Sequence, residues 1–438
     1  MLPSPTATLR RRFEESAAGR RWADAVRRRG RMQALGIVWR SFYLRRLMRW
    51  PRAGWREHRA VRAVLRSGRW GGYPFPGPWT RRFSRAFASL HAVPHVIPAS
   101  SGATALMAAY QALGLMPGDE VIVPALTFSA TATAAHMLGL RVAFVDVDPS
   151  TLCLDHRLVE GAITPRTRAV VAVHHGDAMP DMDALVEITR RHRLRLVEDC
   201  AHAHGASWRG RPAGGLGDVG CFSFQTGKLM SAGEGGAITT HDAALADACA
   251  AVVDCGRPHG GVAGQTRLGI NLRMTELQAA ILVCAAGRFD REHALRQRRM
   301  NALRDELAGI AGVRLPARDE RMTARPAYGF QLLYLPEECG GVPRERFLTD
   351  VQDAGFPATP SWYQPVYRSP EYGRLDPRTT PATATPACPV AEWAADTALV
   401  WIPHPFFLGP RRHVTRLART IGRLVAAYRA GATTGGRS

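Results

Sequence analysis

Short apolar runs alternate with helical patterns through the middle of this chain. Such alternation is typical of a mainly parallel sheet, because parallel strands are joined by helical crossovers and are buried on both faces. The sequence therefore predicts an α/β fold in which ligands bind at the carboxyl ends of the strands. The predicted strands are VIVP at 121–124, AFVDVD at 143–148, AVVAVHH at 169–175, RLVEDC at 195–200, CFSFQ at 221–225 and GAITT at 236–240.

Helices are predicted over 58–66, 102–113 and 181–191, and Ser100 or Ser101 caps the second of them. The C-terminal part is richer in proline and less regular, which indicates a smaller α+β domain. The predicted organisation is a basic extension over 1–49, a large domain over 50–295, a small domain over 296–430 and a flexible tail over 431–438.

Positive charge is concentrated at the N-terminus. The 438 residues include 58 Lys and Arg against 37 Asp and Glu, a net charge of +21. Residues 1–49 hold 13 arginines against three acids, a difference of +10. This pattern indicates an appended basic arm and not a nucleic-acid-binding domain. Apolar residues near helical spacing within the arm also fit a helix on an acidic membrane surface, a helix packed on its own domain, or a disordered tail.

Cysteine usage indicates a reduced protein. The eight cysteines are scattered, without a CxxC pair or metal-ligand spacing to histidine, so we expect a cytoplasmic chain and no metal site. The sequence contains no apolar run of about 18 residues and no signal-peptide pattern at its start.

Lys228 is the only lysine in the chain, beside 57 arginines. Only a lysine amine can lose its proton and attack a carbonyl, whereas a guanidinium cannot. Asp199 ends the predicted strand 195–200, at the sheet edge where ligands bind. A carboxylate there suits a pyridoxal phosphate (PLP) site, in which the lysine bonds the cofactor aldehyde and the carboxylate keeps the pyridine nitrogen protonated. Taken alone, each residue also has an ordinary explanation. The single lysine could reflect an arginine-biased composition, and Asp199 could form an ordinary ion pair.

A stretch rich in small hydroxyl residues, SSGAT at 100–104, precedes the predicted helix 102–113. Glycine lets the backbone approach an anion, and the free N–H groups of a helix start bind it. Ser223 lies five residues before Lys228 and could reach the same phosphate.

Nine stretches in order along the chain resemble the DegT/DnrJ/EryC1/StrS family of PLP-dependent aminotransferases. The resemblance implies a PLP-dependent transferase of fold type I, with a mainly parallel central sheet in the large domain and a smaller α+β C-terminal domain. The stretches are SGATAL (101–106), PGDEVIVPALTFSATA (117–132), VDVDP (145–149), ITPRTRAVVAVH (163–174), DMDAL (181–185), VEDCAHAHGA (197–206), FSFQTGKLMSAGEGG (222–236), GINLRMTELQAA (269–280) and CPVAE (388–392).

The resemblance also implies residue roles. Lys228 would bond the cofactor and move a proton between the substrate Cα and the cofactor, and Asp199 would pair with the pyridine nitrogen. His202 would lie near the phenolic oxygen, and Phe128 would stack on the ring. The phosphate would be held by Gly102, Ala103, Thr104 and Ser223, and by Asn271 of a neighbouring copy, which implies a homodimer with shared active sites. Relatives usually have threonine where this chain has Ala103, so we expect weakened cofactor binding.

The resemblance implies transfer of an amino group from L-glutamate or L-glutamine to a keto group on a nucleotide sugar or a ketocyclitol, in specialised-metabolite or polysaccharide biosynthesis. The stretches around Lys228 and at 398–409 are most similar to ketocyclitol aminotransferases and 3-amino-5-hydroxybenzoate synthases. PLP-dependent dehydration and aromatisation is therefore an alternative. A third hypothesis, from another class, is a membrane- or nucleic-acid-associated binding protein that acts through residues 1–49. Candidate substrate contacts, which also fit ordinary packing, are Trp362, Tyr363, Tyr367 and His404.

Overall fold

A computed structural model describes residues 48–73, 76–258, 264–369, 372 and 387–431. Most of the predicted basic arm, 1–47, lies outside the described residues. So does most of the predicted tail, 432–438. None of the described helices is both long enough and apolar enough to cross a membrane.

The strands and helices are numbered in chain order. The strands are β1 (His95–Ala99), β2 (Glu120–Pro124), β3 (Arg141–Val145), β4 (Thr167–Val173), β5 (Arg195–Asp199), β6 (Ser207–Trp208), β7 (Arg211–Pro212), β8 (Val219–Ser223), β9 (Gly236–Thr240), β10 (Val313–Arg314), β11 (Gly329–Tyr334), β12 (Thr359–Pro360) and β13 (Leu399–Pro403). The α-helices are α1 (Trp55–Ser67), α2 (Pro78–His91), α3 (Gly102–Ala112), α4 (Ala130–His136), α5 (His156–Val159), α6 (Met182–His192), α7 (Ala243–Val253), α8 (Glu276–Leu307), α9 (Arg344–Asp353), α10 (Pro389–Trp393) and α11 (Arg411–Arg429). Short 3-10 turns cover Glu160–Ala162, Pro336–Glu338, Val366–Arg368 and His404–Leu408, and a π-helical turn covers Ala394–Ala398.

The central sheet has the strand order β1–β9–β8–β5–β4–β2–β3. Strand β9 runs antiparallel to β1 and β8, and the other neighbouring strands are parallel. Strands β2, β8 and β9 are buried along their whole length, as their apolar runs require for a sheet covered on both faces. The predicted mainly parallel α/β sheet is confirmed.

All six strands expected from the sequence are present in this sheet, with ends shifted by a few residues. Strand β1 was not predicted, because its sequence HVIPA contains a proline that disfavours strands. Its position explains the exception: β1 lies at the sheet edge and pairs only with β9 among the described strands, and edge strands tolerate proline.

The C-terminal part contains a second sheet in the order β10–β11–β13–β12, with antiparallel pairing throughout. Helices α9 and α11 accompany it, so this part is α+β as predicted. One buried apolar cluster includes Phe222 of the central sheet and Trp401 of the second sheet. The two sheets therefore share a continuous core.

Helix α8 connects the two parts of the chain. Thr275 caps its first turn by accepting a hydrogen bond from the backbone N–H of Gln278, a capping box that fixes the start of the helix. The predicted domain boundary between residues 295 and 296 falls inside this 32-residue helix. The helix is continuous there, and the division into 50–295 and 296–430 stays a prediction.

Candidate active site

A cavity of about 420 Å³ lies at the carboxyl ends of the parallel strands, beside the start of α3. Parallel strands deliver the residues that follow them to one edge of a sheet, so sequence-distant side chains meet there. Seven of the nine predicted site residues line this cavity: Gly102, Ala103, Phe128, Asp199, His202, Ser223 and Lys228.

The start of α3 forms one end of the cavity. The first intrahelical hydrogen bond runs from the N–H of Ala105 to the carbonyl of Ser101, so the N–H groups of Gly102 and Ala103 precede it and remain available to an anion. A Cβ on Gly102 would meet the Cβ of Ser223 at 2.7 Å. Glycine therefore allows the helix start to lie directly against Ser223, which forms the rest of this cradle.

Thr104, also predicted to hold the phosphate, has a different local role. Its hydroxyl accepts from the N–H of Ser101 at 2.9 Å and donates to the carbonyl of Ser101 at 2.9 Å. The hydroxyl of Ser101 in turn accepts from the N–H of Thr104 at 3.1 Å. The side chain of Thr104 closes the helix cap and is not among the residues that line the cavity.

Asp199 ends β5 and is nearly buried, with 7% exposure. One carboxylate oxygen accepts from the hydroxyl of Thr131 at 2.7 Å and the other from the N–H of Ala201 at 3.1 Å. A carboxylate offers about four acceptor positions, so these two bonds orient Asp199 and leave capacity for a ligand in the cavity. Thr131 lies in α4 and was not among the predicted site residues, although it belongs to the resembling stretch 117–132.

Lys228 lies in the irregular connection between β8 and β9 and is 8% exposed. Burial lowers the pKa of its amine from 10.5 to about 8, although the charge of Asp199 acts in the opposite direction. The amine lies 4.5 Å from the centre of the Tyr328 ring. A buried amine with a lowered pKa loses its proton more readily near neutral pH, which is what a nucleophilic or proton-transferring lysine needs.

His202 lies beside Lys228. Its ring is stacked on Tyr328, with centres 4.0 Å apart. Its Nδ1 accepts from the N–H of Gly176 at 3.3 Å, so the proton of the neutral ring is on Nε2, which donates to the hydroxyl of Tyr363 at 3.0 Å. Burial, and then the charge of Lys228, hold the pKa of His202 well below its usual value. The ring is therefore neutral with a fixed tautomer.

Phe128 lies at the rim of the cavity and is 56% exposed. Its ring centre is 6.1 Å from that of Tyr363.

Asn271 is exposed and lies outside the cavity of its own chain. The described chain therefore places Asn271 on its surface, and its predicted contact with a neighbouring copy stays a prediction.

The four candidate substrate contacts differ in whether they line the cavity. Tyr363 lines the cavity, whereas the other three are not among its lining residues. Trp362 packs on Trp401 with ring centres 4.9 Å apart. The hydroxyl of Tyr367 donates to Glu392 at 2.6 Å. His404 is buried and bonds to the carbonyl of Gly227 at 2.9 Å, so it contacts the turn of Lys228.

One group of side chains in the described residues has the spacing of a cation site: His174, Glu198 and Cys200, whose ligand atoms lie within 4.8 Å of one another. The oxygens of Glu198 already accept from His174 and from three backbone N–H groups, those of Gly214, Leu216 and Gly217. These donors fill the acceptor positions of the carboxylate. The cluster is therefore explained by hydrogen bonding.

Comparison with known proteins gives a consistent result. The model of the DegT/DnrJ/EryC1/StrS aminotransferase family matches residues 51–412. The L-glutamine:2-deoxy-scyllo-inosose aminotransferase of Streptomyces fradiae is 39% identical over 411 residues, which cover 86% of this chain and 93% of the relative. The putative L-glutamine:3-amino-2,3-dideoxy-scyllo-inosose aminotransferase of Streptoalloteichus tenebrarius is 36% identical over 389 residues, 85% of this chain and 93% of the relative.

Among solved structures, 3-amino-5-hydroxybenzoic acid synthase matches with a TM-score of 0.79 and 33% identity, and the match covers 86% of this chain and 98% of that one. The resemblance and the fold class expected from the sequence are confirmed. The chain belongs to the DegT/DnrJ/EryC1/StrS family and is a PLP-dependent aminotransferase of fold type I.

Proposed function

We propose that this enzyme transfers the α-amino group of L-glutamine to the keto group of a cyclitol in aminocyclitol biosynthesis. The observation that carries the proposal is that two relatives, at 36% and 39% identity over most of both chains, have names that specify this donor and ketocyclitol acceptors. Nucleotide sugars, the other expected acceptor class, receive less support.

The cavity is consistent with an uncharged polyhydroxylated ring. Although the chain holds 57 arginines, Lys228 is the one cationic side chain among the described cavity-lining residues, apart from histidines. A nucleotide diphosphate calls for paired cations, and arginine is the usual choice for phosphate groups. The polar lining includes Thr127, Gln225, Glu234 and Tyr363, which are suited to hydroxyl groups.

The residues present fit PLP. When bound, PLP supplies an aldehyde that bonds amines and a ring that withdraws electrons from the substrate Cα. We assign the phosphate to the N–H groups of Gly102 and Ala103 and to Ser223. Asp199 would hold a proton on the pyridine nitrogen, and the amine of Lys228 would bond the aldehyde.

The remaining predicted contacts are part of the same proposal. Phe128 would cover the ring, and His202 would lie near the phenolic oxygen as a neutral ring whose Nε2 donates to Tyr363. Asn271 would reach the phosphate of a second copy, so a homodimer with shared sites is proposed. Its exposure, away from the cavity of its own chain, supports that assignment.

The chain's own residues provide the proton transfer. With a pKa of about 8, Lys228 can both accept and return a proton near neutral pH. The donor and acceptor use the same cavity in turn, so the kinetics should be ping-pong. The ring of Tyr328 lies against Lys228 and His202 and excludes water from the reacting amine.

The 3-amino-5-hydroxybenzoate synthase alternative has less support. It rests on one structural match at 33% identity, below the two ketocyclitol aminotransferases. A binding function of residues 1–49 would accompany the enzyme and not replace it.

The deciding experiment supplies L-glutamine with heavy nitrogen in its α-amino group, together with 2-deoxy-scyllo-inosose, to the PLP-loaded enzyme. We expect a cyclitol amine that carries the heavy nitrogen, detected by mass spectrometry. Release of water from the acceptor without nitrogen gain would instead favour the synthase alternative. In a parallel reaction, a keto nucleotide sugar replaces the cyclitol as the acceptor. Heavy nitrogen in the nucleotide sugar and none in the cyclitol would overturn the acceptor class.

The cofactor assignment has its own test, because the chain has one lysine. Borohydride reduction of the PLP-loaded enzyme should attach the cofactor to Lys228 and to no other side chain. Attachment at the N-terminal amine alone would contradict the assignment.

A further inference from the structure

The segment that carries Lys228 is irregular. Residues 224–235 connect β8 to β9 without helix or strand. Within the segment, the N–H of Lys228 donates to the carbonyl of Gln225 at 2.9 Å. Regular secondary structure would fix the direction of a side chain, but here the direction depends on what holds the turn in place.

Two side chains from remote parts of the chain bind neighbouring carbonyls of this turn. The indole N–H of Trp50 donates to the carbonyl of Lys228 at 3.0 Å. His404 bonds through Nε2 to the carbonyl of Gly227 at 2.9 Å. The partners are separated by 178 and 177 residues in sequence, so tertiary structure alone brings these donors to the turn.

The two donors support each other. The rings of Trp50 and His404 meet edge to face, with centres 4.9 Å apart and an angle of 87°. Burial, and then the charge of Arg296, hold the pKa of His404 well below its usual value. The ring is therefore neutral. Because the carbonyl of Gly227 is the acceptor that His404 meets among the described residues, the proton lies on Nε2.

Arg296 of α8 lies against the ring of Trp50. Its guanidinium lies 4.9 Å from the centre of the Trp50 ring and is fully buried. Its nitrogens have no hydrogen-bond acceptor among the described residues, and its ion pair with Glu292 is long, at 3.6 Å. The indole face is thus a major partner of this cation, an interaction that strengthens when both groups are desolvated.

We propose that Trp50 and His404 are positioning residues for Lys228, and that the segment before α1 thereby forms part of the active site. Neither residue is among those lining the cavity. They act on the backbone of the turn and so set the direction and the burial of the lysine side chain. The proposal rests on the covalent and proton-transfer role assigned to Lys228 above.

The proposal predicts how the loss of either donor changes the rate and the pKa of Lys228. A displacement of about 1 Å in a reacting group can lower a rate by roughly 100-fold. Loosening the turn should also admit water to an amine whose pKa is lowered by burial. Loss of either donor should therefore lower kcat and move the lysine pKa upward, with little change in the KM for glutamine.

The test uses Trp50→Phe, which keeps a ring against Arg296 and His404 but removes the N–H donor. Trp70→Phe is the matched control, because the indole of Trp70 also donates to a backbone carbonyl, that of Leu65 at 3.3 Å, on the protein surface. The full-length protein without cofactor is acetylated over a range of pH, and mass spectrometry follows the modification of Lys228, the single lysine.

We expect half-maximal reactivity of Lys228 near pH 8 in the wild type and in Trp70→Phe. In Trp50→Phe the midpoint should move toward 10.5, the ordinary value, and kcat of the PLP-loaded enzyme should fall about tenfold at unchanged KM. The acetylation needs no substrate, so it remains informative if the proposed acceptor is wrong. Identical midpoints and kcat in the two tryptophan variants would overturn the proposal.

A second pair of variants, at His404, tests the proposal whether or not Trp50→Phe folds. His404→Ala removes the donor to Gly227, and His404→Gln keeps an amide N–H at a similar distance from the backbone. We expect the alanine variant to lose activity and raise the lysine midpoint, and the glutamine variant to restore both in part. Equal behaviour of the two variants, at equal thermal stability, would overturn the proposal.

Discussion

Glu198 and Asp199 are adjacent in β5 but face opposite sides of the sheet. Asp199 accepts two hydrogen bonds, from Thr131 and Ala201, and lines the cavity. Glu198 is fully buried and accepts from His174 and from three backbone N–H groups. The two carboxylates differ in how many protein donors they meet. A saturated carboxylate maintains the fold, and one with acceptor capacity left toward a cavity can serve a ligand.

The electrostatics follow the same division. Burial alone would raise the pKa of Glu198, but the hydrogen bond and charge of His174 and the backbone donors outweigh it and lower the pKa. For Lys228, on the cavity side, burial prevails over the charge of Asp199 and lowers the pKa to about 8. Dense hydrogen bonding thus keeps one group charged, whereas sparse bonding leaves the other ready to exchange a proton.

The largest effect is expected on the cavity side, for Lys228→Arg. The substitution keeps the positive charge but removes the amine that bonds a carbonyl. Amino transfer from glutamine should fall by at least about 10³-fold, measured as product formation with saturating PLP. Circular dichroism should show a folded protein, and transamination at the wild-type rate would disprove the role of Lys228.

The second-largest effect is expected for Asp199→Asn. It preserves shape and acceptor geometry on one oxygen, but it removes the charge proposed to keep the cofactor protonated. We expect kcat to fall about 100-fold, by analogy with the removal of one electrostatic contact to a reacting group. A melting temperature within a few degrees of wild type is expected, since two hydrogen bonds meet this carboxylate within the described part of the chain.

Glu198→Gln should show the opposite pattern, with lower stability and little change in the kcat of the folded enzyme. Loss of a buried, charge-assisted acceptor costs about 1–3 kcal/mol of unfolding free energy. The pKa of Glu198 is lowered from 4.5 in the folded state, so its stabilisation is present above that pH and disappears as the pH falls through the folded pKa. Denaturant titrations should therefore show a weaker acid dependence for the variant. A larger loss of kcat than of stability would contradict the division between the two carboxylates.

The smallest effect is expected for Thr131→Val, which removes the hydroxyl that orients Asp199 but keeps the shape of the side chain. A hydrogen bond to a charged group contributes about 1.5–3 kcal/mol, so we expect kcat to fall roughly tenfold. Thr131→Ser retains the hydroxyl and should recover most of the rate. If valine and serine variants are equally active, Thr131 does not orient Asp199.

Much of the site was predictable because it lies at ends of regular elements. Seven of the nine predicted residues line one cavity, since strand ends and a helix start leave little freedom for the side chains that follow them. The family resemblance assigned Thr104 to the phosphate, but its hydroxyl closes the cap of α3. The choice between a local cap and a ligand depends on hydrogen-bond geometry that residue order does not reveal.

Tyr328 and Trp50 carried no sequence signal, and the sequence indicated His404 only as a candidate substrate contact. Tyr328, whose ring lies against both Lys228 and His202, precedes a strand of the second sheet. Trp50 and His404 reach the lysine turn from opposite ends of the chain. Aromatic residues in such positions are more often core than site residues, so their role could be recognised only from their contacts.

The sequence by itself determined the family, because nine characteristic stretches occur in order along the chain, and the mainly parallel sheet, because hydrophobic periodicity sets it. It also predicted roles for Lys228 and Asp199 from their residue types and from that resemblance. Only the tertiary structure decided which donors meet the two carboxylates of β5, how far burial lowers the pKa of Lys228, and which remote donors hold its turn. Those properties depend on distances between residues far apart in the chain, and such distances exist only after the two sheets have packed into one core.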